Sequence, residues 1–208
     1  MEKVKEVPYG VADFVTVMEQ NLYYVDKTMF IPELEKQPRN LFFIRPRRFG
    51  KSIFLSMLHS YYDCNQSAKF QSLFGNLWIG QHPTESQGKY QVLFLDFSQV
   101  SGNIDSLERN FDFYCSVKLD GFMRRYGESY SEETREKVRK AEFAMDKLAF
   151  IHDEAAQKGF SLYLIVDEYD NFTNVVLNEH GEKVYHAITH ADGFYRDVFK
   201  KFKGNFER

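Results

Sequence analysis

The feature that most constrains the fold of this chain is a change of hydrophobic period around the octapeptide RPRRFGKS, residues 45–52. A continuous apolar run, residues 41–44, precedes the octapeptide and is bounded by breakers. Runs of this kind are typical of short strands buried on both faces. After the octapeptide, apolar side chains recur at the spacing of one helix face, at Phe54, Met57, Leu58 and Tyr61. The sequence therefore predicts strand, turn and helix, with Gly-Lys-Ser at the turn.

The Gly-Lys-Ser tripeptide supplies the parts of a phosphate-binding loop. Such a loop needs converging backbone N–H groups at a helix N-terminus, a lysine for the terminal phosphates and a hydroxyl for Mg²⁺. Gly50, Lys51 and Ser52 provide the glycine, the lysine and the hydroxyl at adjacent positions. A chance match to this tripeptide in a chain this long has a probability of about one in ten. The flanking strand and helix are therefore what give the motif its weight.

Arg45 departs from the general phosphate-loop pattern, which has a glycine five residues before Gly50. Arginine disfavours positive φ by about 1–2 kcal/mol, and the following Pro46 biases Arg45 towards extended backbone. We therefore expect the strand to run one residue longer and the loop to turn through Arg47 and Phe49. A basic surface turn is the alternative interpretation of this segment.

A second motif, LYLIVDEYDN, places two acids after another buried strand. The apolar run 162–166 predicts the strand, and Asp167 and Glu168 follow at its carboxyl end. Open parallel sheets bind ligands at that end of their strands. One carboxylate there can hold Mg²⁺, and the next can polarise an attacking water. The alternative is a pair of acids that solvate a strand end, but the phosphate loop and the acids explain each other.

The other predicted elements complete an alternation of strands and helices. They are a short helix at 11–18, a strand at 90–97, a helix at 104–126, one long helix whose apolar face runs from Val138 to Ala155, and a last helix at 182–202. Ser129 or Ser131 caps the helix that follows, and Gly159 is placed to end it. This alternation predicts one α/β domain, 1–208, with a largely parallel sheet.

The composition of the chain argues against several classes of protein. The net charge of −3 argues against direct, general nucleic-acid binding. The two cysteines, Cys64 and Cys115, have no C-x-x-C spacing, which indicates reduced thiols in a cytoplasmic protein. The N-terminal residues have no apolar core of a signal peptide, and the longest apolar runs are too short to span a bilayer.

RPRRFGKS, preceded by YYVDKT and followed by LDFS and LIVDEYDN, resembles the bacterial and archaeal AAA-ATPase-like family over about residues 8 to 200. Arg-Pro-Arg-Arg-Phe-Gly-Lys-[Ser/Thr] is the usual form of the loop in that family. The resemblance implies a P-loop NTPase-like three-layer α/β fold that binds ATP and Mg²⁺. It implies catalytic roles for Lys51 and Glu168, and magnesium contacts from Ser52 and Asp167. The loop residues expected to bind the nucleotide are Arg47, Arg48, Phe49, Gly50, Lys51 and Ser52.

The segment VDKT, residues 25–28, is expected to line the base or ribose side of the nucleotide, with a turn cap by Thr28 as the alternative. Members of the family are often large proteins with a PD-(D/E)XK nuclease-like domain at the C-terminus. The chain ends about where a fourth strand, with a polar sensor residue, would begin. We therefore expect the N-terminal part of a longer protein, incomplete at its C-terminus, with a nuclease-like domain or a partner protein outside this chain.

The sequence favours a Mg²⁺-dependent ATPase domain whose phosphoanhydride hydrolysis is coupled to a partner domain. The alternative is a nucleotide-binding module without appreciable hydrolysis. A nucleic-acid-associated module ranks third because the chain is acidic. Oligomerisation stays open at this point.

Overall fold

A computed structural model describes residues 5–38, 40–44, 49–100 and 104–169, and the single positions 177, 181, 185, 196 and 200. The predicted helix at 182–202 therefore lies for the most part outside the described residues. The chain divides into two compact units, Met1–Gln91 and Val92–Arg208. No helix within the described ranges is both long enough and apolar enough to cross a bilayer.

The first unit is built from short helices around an aromatic core. Its helices are α1 (Phe14–Glu19), α2 (Ile31–Glu35), α3 (Lys51–Tyr62), α4 (Phe70–Phe74) and α5 (Trp78–Gln81), with 3-10 turns at Thr28–Phe30 and Cys64–Lys69. The ring of Phe14 stacks on Phe74 at 4.9 Å, and Tyr61 meets Phe74 edge-on at 5.5 Å. All three side chains are fully buried. These three rings therefore form part of the core of the first unit.

The predicted buried strand at 41–44 is wrong. The segment does not form a strand, and Leu41, Phe42 and Ile44 are 47%, 74% and 81% exposed. A strand needs a neighbour for its backbone N–H and C=O groups, and no described strand pairs with this run. Phe43 is the better packed member, because its ring stacks on Phe54 of α3 at 5.2 Å.

The second unit has an α/β arrangement. Strand β1 (Tyr90–Asp96) begins in the last residues of the first unit, and it pairs in parallel with β2 (Ser161–Asp167). The tyrosines of α6 (Ile104–Tyr126) cover β1: the Val92 amide donates to Tyr126 Oη at 3.0 Å, and the Asp96 amide donates to Tyr114 Oη at 2.7 Å. The predicted α/β class, with parallel strands at 90–97 and 162–166, is confirmed at this level.

The predicted single long helix between the serine cap and Gly159 is wrong, because two helices occupy this region. These are α7 (Glu132–Lys140) and α8 (Ala144–Lys158), and the chain between them is extended at Ala141 and Phe143. The amide of Ala144 donates to Asp112 Oδ1 of α6 at 3.0 Å, so a carboxylate distant in sequence fixes where α8 begins. Ser131, and not Ser129, caps α7.

Candidate nucleotide-binding site

Gly50 is the N-cap of α3 and adopts a left-handed backbone, with φ 75° and ψ 28°. A side chain in this conformation costs about 1–2 kcal/mol. A Cβ on Gly50 would lie 3.5 Å from both Ile53 Cγ2 and Lys27 Nζ, an ordinary contact distance. Glycine is therefore favoured here by the backbone angle and not by a shortage of space.

Helix α3 begins at Lys51 and continues for 12 residues. The Phe54 amide donates to the Gly50 carbonyl at 3.2 Å, which forms the first helical turn. Amides in the first turn of a helix have no intrahelical acceptor and carry partial positive charge, so anions bind there. The predicted turn and helix around Gly-Lys-Ser are confirmed, whereas the strand before them is not.

Four residues of the predicted loop can be located, and two cannot. Phe49 is exposed, and Gly50, Lys51 and Ser52 are half-buried at the start of α3. Arg47 and Arg48 lie outside the described residues, so their predicted contacts with the nucleotide stay predictions. Arg45 also lies outside the described residues, and the strand that it was expected to extend is not formed at 41–44.

The two acids lie at the carboxyl end of β2. Asp167 is the last residue of the strand and is 4% exposed, and its Oδ1 accepts a hydrogen bond from the Glu168 amide at 2.9 Å. Glu168 is half-buried and has a positive φ of 53°. Non-glycine residues in this conformation are strained and cluster at functional sites. The acids belong to the second compact unit and the loop belongs to the first.

Asp26 and Thr28 have a structural role that the sequence predicted in part. Asp26 Oδ1 accepts from the amide and the hydroxyl of Thr28, at 2.8 and 2.7 Å, and Oδ2 accepts from the Trp78 amide at 2.7 Å. Thr28 is fully buried and accepts from the Ile79 amide at 3.1 Å. The predicted turn at Thr28 is present, but the carboxylate of Asp26 caps it, and Thr28 is the donor. The pair also holds the first turn of α5, and the Asp-x-Thr spacing of an Asx turn is the signal for it.

Lys27, in the segment 25–28 that was expected to line the base or ribose side of the nucleotide, lies near the loop. Its Nζ lies 3.5 Å from the position that a Cβ on Gly50 would occupy. It also lines a cleft of about 200 Å³ in the first unit. The other lining residues are Phe30, Glu33, Leu34, Gln37, Phe43 and Phe54. No local pattern brings Lys27 and Gly50 together, because their proximity depends on the packing of the unit.

The side chains predicted to hold a metal ion have suitable donor chemistry for Mg²⁺. The described residues contain no cluster of three or more His, Cys, Asp or Glu side chains that could hold a metal. Mg²⁺, however, usually keeps several waters and binds one or two carboxylates together with the phosphates of a substrate. The Ser52 hydroxyl and the Asp167 carboxylate are oxygen donors of this kind. Each donor, taken separately, has the chemistry of a ligand for an ion that is bound together with a nucleotide.

Comparison with known proteins identifies the family of this chain. The AAA-ATPase-like family, described as "Predicted AAA-ATPase", matches residues 8–208, so the chain belongs to that family. A relative from Azotobacter chroococcum mcd 1, described as "Uncharacterized protein in vnfD 5'region", is 43% identical over 178 residues. The match covers 80% of this chain and 29% of that relative, so the chain spans less than a third of the relative's length. No solved structure matches. The predicted resemblance to the family is confirmed.

Proposed function

We propose that this chain is the nucleotide-binding part of a Mg²⁺-dependent ATPase with a P-loop NTPase-like three-layer fold. One observation carries the proposal: a left-handed glycine stands directly before Lys51-Ser52 at the N-terminus of α3, in a member of the AAA-ATPase-like family. The amides of a helix start and an adjacent lysine are the groups that phosphate loops use.

Each loop residue has a distinct task in this proposal. Backbone amides around Phe49 and Gly50 donate to the phosphate oxygens, and the partial charge of the α3 N-terminus favours the anion. Lys51 neutralises the terminal phosphates, and the Ser52 hydroxyl holds Mg²⁺. Arg47 and Arg48 add positive charge at the phosphates, where charge develops during phosphoryl transfer.

The acids after β2 complete the proposed chemistry. Asp167, at the end of β2, would hold Mg²⁺, and the ion would supply positive charge for the phosphate oxygens. Glu168 orients a water and takes its proton as the water oxygen attacks the terminal phosphorus. The phosphoanhydride bond then breaks and its electrons leave with the diphosphate. The positive φ of Glu168 sets this carboxylate apart from an ordinary side chain that solvates a strand end.

The proposal extends to the setting of the domain. The proposal includes a nuclease-like domain or a partner protein that ATP turnover drives, as the family resemblance implies. A cytoplasmic location accords with the two cysteines, which are both free thiols. Burial raises the pKa of Cys115 to about 12, and so this thiol is packed and unreactive at neutral pH. Direct contact with nucleic acid is not part of the proposal.

Phosphate release from Mg²⁺-ATP tests the proposal. We expect the wild type to release phosphate. Lys51→Ala should lose both ATP binding and phosphate release. Glu168→Gln should keep ATP binding while its turnover falls by about 10²-fold or more, the usual effect of losing a general base. Glu142→Gln, at an exposed position in the second unit, is the matched control. If the wild type binds ATP through Lys51 but releases phosphate only at the background rate, the alternative of a nucleotide-binding module without appreciable hydrolysis is favoured. Wild-type rates in both variants would end the assignment.

A further inference from the structure

We propose that the cleft beside Lys27 holds the base of the nucleotide whose phosphates bind at Gly50. The inference rests on the proposed function, because it requires a triphosphate at the start of α3. It adds that the protein recognises more of the ligand than its phosphates, because the nucleotide extends past Lys27 and its base enters the cleft.

The cleft has the composition of a site for a flat apolar group. The 3-10 turn and α2 supply Phe30 and Leu34, and Phe43 and Phe54 supply two aromatic rings that stack at 5.2 Å. Small-molecule sites are lined mainly by apolar and aromatic side chains with a few polar groups. Aromatic side chains also stack on nucleic-acid bases regardless of base identity.

The size of the cleft restricts what it can hold. Its volume is about 200 Å³. Pockets that enclose a complete drug-sized ligand measure roughly 300–1,000 Å³. The cleft is therefore suited to one part of a nucleotide, such as the base, and not to the whole molecule.

The position of the cleft connects it to the phosphate loop at two points. Lys27 lines the cleft, and its Nζ lies 3.5 Å from the position of a Cβ on Gly50. Phe54 lines the cleft from the first turns of α3, four residues after Gly50, which is about 6 Å along the helix axis. One helix therefore supplies both the phosphate end and a wall of the cleft, and Lys27 lies where the sugar and phosphates would pass.

Binding of the base is distinguished from binding of the phosphates by comparing ATP with tripolyphosphate, which has no base. Calorimetry with Mg²⁺-ATP and with Mg²⁺-tripolyphosphate is carried out on the wild type, Leu34→Trp and Lys36→Trp. Leu34→Trp fills the cleft, whereas Lys36, at the end of the same helix, is exposed and does not line it. We expect Leu34→Trp to weaken ATP binding about tenfold, as loss of one stacked base predicts, and to leave tripolyphosphate binding within about twofold. Lys36→Trp should bind both ligands like the wild type.

A milder variant protects the test against a folding defect. Phe30 is 51% exposed, so Phe30→Ala should keep the fold and still weaken ATP binding about fivefold through the lost stacking. If circular dichroism shows that Leu34→Trp is unfolded, Phe30→Ala decides the question. ATP binding that needs Lys51 but is equal in Phe30→Ala, Leu34→Trp and Lys36→Trp would overturn the base site and leave the proposed function standing. Absence of binding of either ligand to the wild type would overturn both.

Discussion

At the level of single residues, the backbone of Gly50 explains why the loop needs its glycine. Gly50 and Gly159 both have left-handed backbones, with φ 75° and 72°. Gly159 ends α8, and nothing lies within 4 Å of the position of its Cβ. The two glycines therefore share the same conformational requirement, but only Gly50 stands at the proposed phosphate site.

Replacement of either glycine by alanine should lower the free energy of unfolding by about 1–2 kcal/mol, since each side chain would be forced into left-handed backbone. Urea denaturation of Gly50→Ala and Gly159→Ala measures this change. Gly159→Ala is also the control for function: it should bind ATP like the wild type, whereas Gly50→Ala should bind more weakly. Unchanged stability in both variants would contradict the argument from φ.

At the level of elements, a carboxylate on α8 holds the N-terminus of α7. Glu154 Oε1 accepts from the Ser131 amide at 2.7 Å, and Oε2 accepts from the Ser131 hydroxyl at 2.9 Å. The same hydroxyl caps α7 by accepting from the Thr134 amide at 3.2 Å. Burial raises the pKa of Glu154, but hydrogen bonds from Lys158, Thr134 and Ser131 outweigh it and lower the pKa to about 2.

This pairing makes the stability of the second unit depend on pH. Because the folded-state pKa of Glu154 lies below its ordinary value of 4.5, the carboxylate stabilises the fold above pH 4.5. That contribution is lost as the pH falls towards about 2. We expect Glu154→Gln to be less stable than the wild type at pH 7 and to lose less stability between pH 5 and about 2. Parallel pH profiles of unfolding free energy for the two proteins would contradict this role.

The elements also show which parts of the fold could be predicted from sequence. The helix at 104–126 and the strand before Asp167 were predicted because their signals are local. The break before α8 was missed because its cap, Asp112, lies 32 residues from Ala144. The strand at 41–44 was wrong because an apolar run cannot indicate whether a neighbouring strand pairs with it.

In the candidate site too, the features with a local sequence signal could be predicted, and those that depend on contacts distant in sequence could not. Gly50, Lys51 and Ser52 could be placed at a helix start because the motif and the helix pattern are contiguous in sequence. The position of Lys27 beside Gly50 could not be predicted, since the packing of the 3-10 turn and α2 brings the two together. The Asx turn at Asp26 has a local signal, but its hydrogen bond to Trp78 spans 52 residues.

At the level of the whole molecule, the family match from 8 to 208 includes both compact units. The first unit carries the glycine-lysine-serine helix start, and the second carries the two acids after β2. An ATPase needs both motifs, because one binds the phosphates and the other supplies the metal ligand and the base. Binding at Lys51 is therefore the condition on which every other part of the proposed function depends.

Calorimetry of Mg²⁺-ATP with the wild type, Lys51→Ala and Lys69→Ala tests that condition most directly. Lys69 is a partly exposed lysine of the first unit that pairs with Glu19 on the surface, so its loss controls for a general loss of positive charge. We expect Lys69→Ala to bind like the wild type and Lys51→Ala to bind about 10–100-fold more weakly, the effect of losing a charged hydrogen bond to phosphate. Equal heats from Lys51→Ala and the wild type would contradict nucleotide binding at this loop.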